Sequence, residues 1–386
     1  MNRFSHVARP RALSLSTLLF FLAFYANGKI LIPPPEGKYA VSMSSTKLVD
    51  PSRTDPYDPN HGQRAVMVSL FYPVPIKECE QTCIIDYMPP TTARYLDAVT
   101  LQYGVPNGTY EQFQLEVCCK RSERRTPAPD TKVVLFSHGL YSSRQWYNSL
   151  VQHIASAGYA VVSIDHPYDA LVVEFPDGSY ILNETIVSGS PDNDDGSYAK
   201  GMEVRAADSK FVLNQLGNAT VVQELLPEAE CGFQVKKAAM FGHSYGGATS
   251  IRMVQTDKRI IGALDLDGQV FGNPSDIHRP VFLFGRTDHN RSTERTWGTY
   301  WDYFKDWRRE FDIGGGATHL TFGDLVLLTN LAGIPPIDIL GTMDGARAIQ
   351  ITSTYVAAFL DFVFKGKKNP ILDGNSNEFP EITRFE

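Results

Sequence analysis

Positive charge is the first thing this chain is short of. Thirty-six Lys and Arg against 43 Asp and Glu leave a formal net charge of −7 over 386 residues. Binding to nucleic-acid phosphates needs a basic footprint, so no nucleic-acid partner is expected. Cysteine is also scarce. The five cysteines show no zinc-finger or metal-loop spacing, and neither a metal nor an organic cofactor is expected. No repeat signature is present. Beyond the first 26 residues no apolar run is long enough to span a bilayer. What remains is 43% hydrophobic and 20% charged, too apolar for a disordered chain and long enough for one large core.

The N-terminus reads as an address. Arg3, Arg9 and Arg11 precede an apolar run from Ala12 to Ala26, followed by Asn27 and Gly28. A basic start, a short apolar stretch and small residues at its end describe a secretory signal peptide over residues 1–28. The run of about 15 residues falls short of the roughly 20 a spanning helix needs. The expected location is therefore extracellular. N-x-S/T sequons at Asn107, Asn183, Asn218 and Asn290 lie in polar stretches and are candidate glycosylation sites, whereas Asn273 is excluded by Pro274. Cys79, Cys83, Cys118 and Cys119 fall in one segment and are expected to pair among themselves, with Cys231 left over. Spacing does not give the connectivity.

Residues 29–386 read as a single α/β domain. Strand-like runs at Tyr39–Met43 and Ala65–Tyr72 precede segment 77–127, whose cysteines, prolines and aromatics mark an insertion. From Lys132 onward, apolar runs alternate with amphipathic stretches. Strands are expected at Lys132–Phe136, Tyr159–Ile164, Lys237–Phe241, Ile260–Leu266, Val281–Phe284 and Glu310–Ile313. Helices are expected at Ser142–Ala157, Met202–Leu216, from Ser244, at Thr296–Trp307 and at about Ala346–Phe364. The pattern implies a mostly parallel central sheet with helices on both faces.

Chemistry concentrates at Gly242-His243-Ser244-Tyr245-Gly246, which fits G-x-S-x-G. A serine hydroxyl is a weak nucleophile and must be lifted out of the fold toward a base. A sharp strand-to-helix turn does this, and flanking glycines make that turn possible. An apolar strand feeds the motif and a helical pattern follows it. In this architecture an acid and then a histidine follow the serine. His319, on the glycine-rich loop after the last parallel strand, is the expected base, with His289 as the competing reading and His278 at the wrong end of its strand. Asp267 and Asp288 each end a strand, and spacing leaves both open as the acid. Ser137-His138-Gly139-Leu140 follows the first strong strand. It suggests an oxyanion hole made by the backbone N–H groups of Leu140 and Tyr245, with His138 shaping the turn.

Phe136-Ser137-His138-Gly139-Leu140, Asp165-His166, the Gly242–Thr249 run and the Leu266-Asp267 step together resemble the secreted platelet-activating factor acetylhydrolases, from about Lys132 to Asp324. That resemblance implies the α/β-hydrolase fold and a metal-independent serine esterase acting on short or oxidised sn-2 acyl groups of phospholipids. It further implies Ser244 as nucleophile, Asp267 rather than Asp288 as acid, and His319 as base. An ester or phospholipid substrate is the expected partner, with association at lipid surfaces; oligomeric state is not legible. Segment 77–127 and the loop His166–Ala199 depart from the family pattern. A general carboxylesterase or a polyester- or cutinase-like hydrolase is the alternative expectation. A non-catalytic binding protein on the same fold is the third.

Overall fold

A computed structural model describes residues 28–122, 130–184, 186–188 and 195–385. The expected signal peptide, Gly28 apart, lies outside the described residues. The central sheet is built from β1 (Tyr39–Thr54), β2 (Gln63–Pro75), β3 (Lys132–Ser137), β4 (Tyr159–Asp165), β5 (Ala238–His243), β6 (Ile260–Leu266), β7 (Val281–Arg286), β8 (Arg308–Ile313) and β9 (Ile382–Arg384). Their spatial order is β9-β8-β7-β6-β5-β3-β4-β2-β1. Strands β3 to β8 run parallel, while β2, β1 and β9 join antiparallel at the two sides.

The central strands are almost wholly apolar because both of their faces are covered. Along β7, Phe282 and Phe284 enter one core while Val281 and Leu283 enter the other. The first core is closed by helices α1 (Pro90–Thr100) and α2 (Asn148–Ser156), and the second by α3 (Ser197–Gln215), α4 (Ala219–Leu225), α5 (Tyr245–Thr256) and α6 (Arg295–Trp301). Helices α7 (Leu325–Leu331) and α8 (Gly345–Lys365) complete the first core. Each fully buried aromatic or aliphatic side chain contributes roughly 1.5–3 kcal/mol of transfer free energy, so the two layers hold the sheet firmly. Because β3 to β8 are parallel, the loops leaving their carboxyl ends gather along one edge. That is where an open α/β sheet places its ligand site.

The mostly parallel sheet with helices on both faces is as expected, with local differences. The first two strands run well beyond their expected ends, to Thr54 and Pro75. Polar residues such as Ser45 and Lys47, exposed on an outer strand, hide that length from a hydrophobicity pattern. The helix expected at Thr296–Trp307 stops at Trp301. Phe304 is nonetheless buried, in the turn before β8, so the aromatic stripe marked packing rather than continuous helix. Within segment 77–127, Cys79–Asp86 and Phe113–Arg121 pair antiparallel and α1 lies between them in sequence. Disulfides Cys79–Cys118 and Cys83–Cys119 join these two strands, and Cys231 is free. The sequon residues Asn107, Asn183 and Asn218 are exposed. Asn290 is a correction: it is buried, and its Nδ2 donates to Asp312 at 3.0 Å, so the nitrogen a glycan would need is turned inward.

Candidate active site

Ser244 occupies the single residue between β5 and α5, with φ 56° and ψ −124°. An L residue rarely adopts this conformation, and it persists only where the surroundings enforce it. The enforcement is visible. Ser244 N donates to Leu266 O at 2.8 Å, and its carbonyl accepts from Gly247 N and Ala248 N. A Cβ on Gly242 would lie 2.3 Å from the Gly246 carbonyl carbon, and one on Gly246 would lie 2.0 Å from Ser137 O. The two flanking glycines therefore let α5 start hard against the end of β3.

Asp267 follows β6 directly, is buried, and has φ 57°. Its Oδ2 accepts from His319 Nδ1 at 2.6 Å, and its Oδ1 accepts from the Arg286 backbone N–H at 3.0 Å. Burial alone would push this carboxyl up. The His319 hydrogen bond, the neighbouring charges of His289 and His319, and the Arg286 amide outweigh burial and hold it below the usual carboxylate range. His319 opens a short helical turn, His319–Phe322, set by a capping box between Thr318 and Thr321. Its side chain is 41% exposed. Nδ1 is engaged by Asp267, and Ser244 lines the same cavity as His319. The Ser244 hydroxyl forms no hydrogen bond with the described residues, and such contacts commonly tighten only once substrate is present.

The other sequence candidates lie differently. Asp288 is exposed and contributes its carbonyl to Thr293 Oγ1. His278 is exposed ahead of β7. His289 is buried at the same cavity, with Nδ1 3.3 Å from Asp267 Oδ1. Asp265, one pleat deeper on β6, accepts from Gly268 N at 2.9 Å. Burial first, and then the charge of Asp267, drive its carboxyl well above the ordinary range.

Sequence reasoning passed over His243. Its Nε2 donates to the His319 carbonyl at 2.8 Å and its Nδ1 accepts from Tyr147 Oη at 2.8 Å, with its ring centroid 4.5 Å from that of His319. Burial, with the charge of His319 next, takes His243 down to about 3, so it braces the His319 turn as a neutral ring. The second position of G-x-S-x-G, directly before the serine, was the available signal.

The cavity, about 330 Å³, joins these groups. Leu140, Tyr198, Tyr245 and Phe271 form an apolar wall, with Tyr198 and Phe271 stacked at 5.0 Å. Gln269, Arg286 and Glu294 line the polar side. Leu140 and Tyr245 are thus both at the cavity that Ser244 lines. Beneath Leu140 lies a buried ion pair, Arg205 with Asp169. Among the described residues no group of His, Cys, Asp and Glu is placed to hold a metal ion. No helix among them is long and apolar enough to cross a membrane.

This arrangement has known counterparts. The family described as platelet-activating factor acetylhydrolase, isoform II, matches residues 24–175 and 210–376. A probable 1-alkyl-2-acetylglycerophosphocholine esterase of Arthroderma benhamiae is 30% identical over 380 residues, spanning 91% of this chain and 93% of that protein. The platelet-activating factor acetylhydrolase of Cavia porcellus is 24% identical over 281 residues, 65% of this chain and 63% of that protein. Among solved structures, a ferulic acid esterase from Streptomyces cinnamoneus superposes with a TM-score of 0.76 at 29% identity, covering 93% of this chain and 100% of that one.

Proposed function

The chain belongs to the platelet-activating factor acetylhydrolase isoform II family of ester hydrolases, and from that premise we propose that it is a secreted serine esterase removing short sn-2 acyl groups from phospholipids through an acyl-enzyme. Ser244 Oγ attacks the ester carbonyl while His319 Nε2 takes its proton. The Leu140 and Tyr245 N–H groups hold the oxyanion, and His319 returns the proton to the departing alcohol. Water then repeats the sequence on the acyl-enzyme. Asp267 fixes the His319 tautomer and faces the imidazolium with a buried negative charge. The observation that carries this reading is the 2.6 Å His319–Asp267 hydrogen bond at the cavity into which the strained Ser244 turn opens.

The cavity's modest volume and its Leu140, Tyr198 and Phe271 wall support a short acyl group. The likeness to a ferulic acid esterase favours a second reading, a general carboxylesterase that also takes aromatic acyl groups against the aromatic wall of the cavity. Secretion rests on the N-terminal pattern, and glycans are proposed at Asn107, Asn183 and Asn218. The test compares kcat/KM for a 2-acetyl glycerophosphocholine, its long-chain sn-2 counterpart, nitrophenyl acetate and methyl ferulate. The phospholipid reading expects the 2-acetyl phospholipid to lead the long-chain one by at least about tenfold, a difference of about 1.4 kcal/mol in transition-state binding. A preference for ferulate over both phospholipids would overturn it in favour of the second reading.

A further inference from the structure

Arg205, on α3, is only 1% exposed and lies beneath the turn that follows β3. Its Nε donates to Asp169 Oδ2 at 2.6 Å, and Nη2 donates to Asp169 Oδ1, completing a two-pronged ion pair. Nη1 donates to the His138 carbonyl and to Ser137 Oγ, and Nη2 reaches Gly139 O at 3.3 Å. The same guanidinium sits 4.6 Å from the centre of the Tyr245 ring.

The consequence lies in one peptide group. Gly139 O and Leu140 N–H belong to the same planar trans unit and point in opposite directions. Besides Arg205, Gly139 O accepts from Ser142 Oγ at 2.8 Å and lies 2.6 Å from His138 Nδ1. His138 Nε2 accepts the His166 backbone N–H, which leaves Nδ1 to carry the proton toward Gly139 O. With its carbonyl drawn into the protein by these donors, the peptide turns the Leu140 N–H the other way, toward the cavity that Leu140 lines. The second donor's residue is seated on the same helix. Tyr245 Oη donates to Tyr198 O, and a side chain at Gly201 would run into it, its Cβ 2.6 Å from that hydroxyl. Tyr198, Gly201 and Arg205 follow helical spacing, so one face of α3 backs both donors. Asp169 closes the arrangement, since its own carbonyl accepts from Tyr141 N at 3.1 Å.

We infer that Arg205, locked by Asp169, is a positioning residue that presets the oxyanion hole by fixing the Gly139–Leu140 peptide and seating Tyr245. The inference rests on the reading that Leu140 and Tyr245 supply that hole. A purely structural ion pair would affect stability alone. A preset hole affects the transition state selectively, because removing one oxyanion donor lowers kcat by about 10²–10³-fold.

The test uses two variants of the full chain. Arg205→Lys keeps the charge but cannot span both carbonyls. Arg205→Met/Asp169→Leu removes both charges together, which avoids leaving one buried and unpaired. Steady-state kinetics on a short acyl ester are paired with inhibition by a short alkyl trifluoromethyl ketone. Ser244 Oγ adds to the ketone carbon, its proton passes to His319, and the resulting oxyanion occupies the hole. The expected result, in whichever variants unfold cooperatively, is kcat lower by about 10²-fold, KM within about threefold, and ketone affinity lowered by the same factor as kcat/KM. Unchanged kcat, a raised KM with kcat kept, or unchanged ketone affinity overturns the inference. Ser244→Ala is measured alongside. Full activity there overturns the underlying reading, whereas an inactive Ser244→Ala beside fully active Arg205 variants overturns the clamp alone.

Discussion

The two walls of the cavity are held in opposite ways. On the side of the proposed oxyanion donors the charges are buried and paired: Arg205 and Asp169 are at most 2% exposed. On the other side Asp267 is buried, while His319 stands 41% exposed on a short turn. The difference follows from what each wall must do. Backbone donors keep one charge state and one direction throughout, so rigid, desolvated support strengthens them. A base must alternate between neutral imidazole and imidazolium. Full burial would oppose the charged form, so His319 stays near water with a buried carboxylate at its back.

The contrast breaks most sharply at the acid. Asp267→Asn should lower kcat by about 10⁴-fold by losing the tautomer control that a carboxylate exerts. Asp288→Asn, an exposed position, should stay within about twofold. The reverse pattern would move the acid to the neighbouring strand. Next comes pH. Asp267 is held below its ordinary range, so it remains ionised in mildly acidic solution and adds no second proton to the acid limb. The kcat/KM profile should therefore fall about tenfold per pH unit on its acid limb, a single-proton slope. A flat profile, or a two-proton slope, would contradict this assignment.

A smaller effect sharpens the comparison through stability. His243 is held down to about 3 against an ordinary value of 6.5, so the unfolded chain takes up its proton first. Stability is then lost as pH falls from about 6.5 toward 3. His243→Gln should reduce that slope by up to one proton, about 1.4 kcal/mol per pH unit, in urea titrations at several pH values. An unchanged slope would mean that the ring is not buried neutral. Smallest is Thr318→Ala, which removes the cap of the His319 turn. It should cost about 1 kcal/mol of unfolding free energy and lower kcat a few-fold with KM unchanged.

How far the sequence foretold each wall follows from the same contrast. The acid–base side is written in short local signals: a strand ending in Asp267, a glycine-rich loop carrying His319, and a motif around Ser244. The structure brings these three to one cavity. The wall that carries the proposed oxyanion donors depends on α3, whose buried residues Gly201, Arg205, Asp208 and Ser209 stand among apolar ones such as Met202 and Val212. Hydrophobic periodicity marks the helix but gives no role to its buried charges, whose partners Asp169 and Arg64 lie 36 and 144 residues away in the chain. Asn290 shows the reverse failing. Its sequon sits in a polar stretch that reads as surface, yet its amide is committed to Asp312 inside the fold.

The claim on which the rest depends is that Ser244 is the nucleophile. It is tested most directly by reacting the folded protein with a fluorophosphonate and mapping the modified peptide by mass spectrometry. The account predicts one adduct, on Ser244, forming at least about 10³-fold more slowly in Asp267→Asn. An adduct on another residue, or full-rate labelling without Asp267, would contradict it.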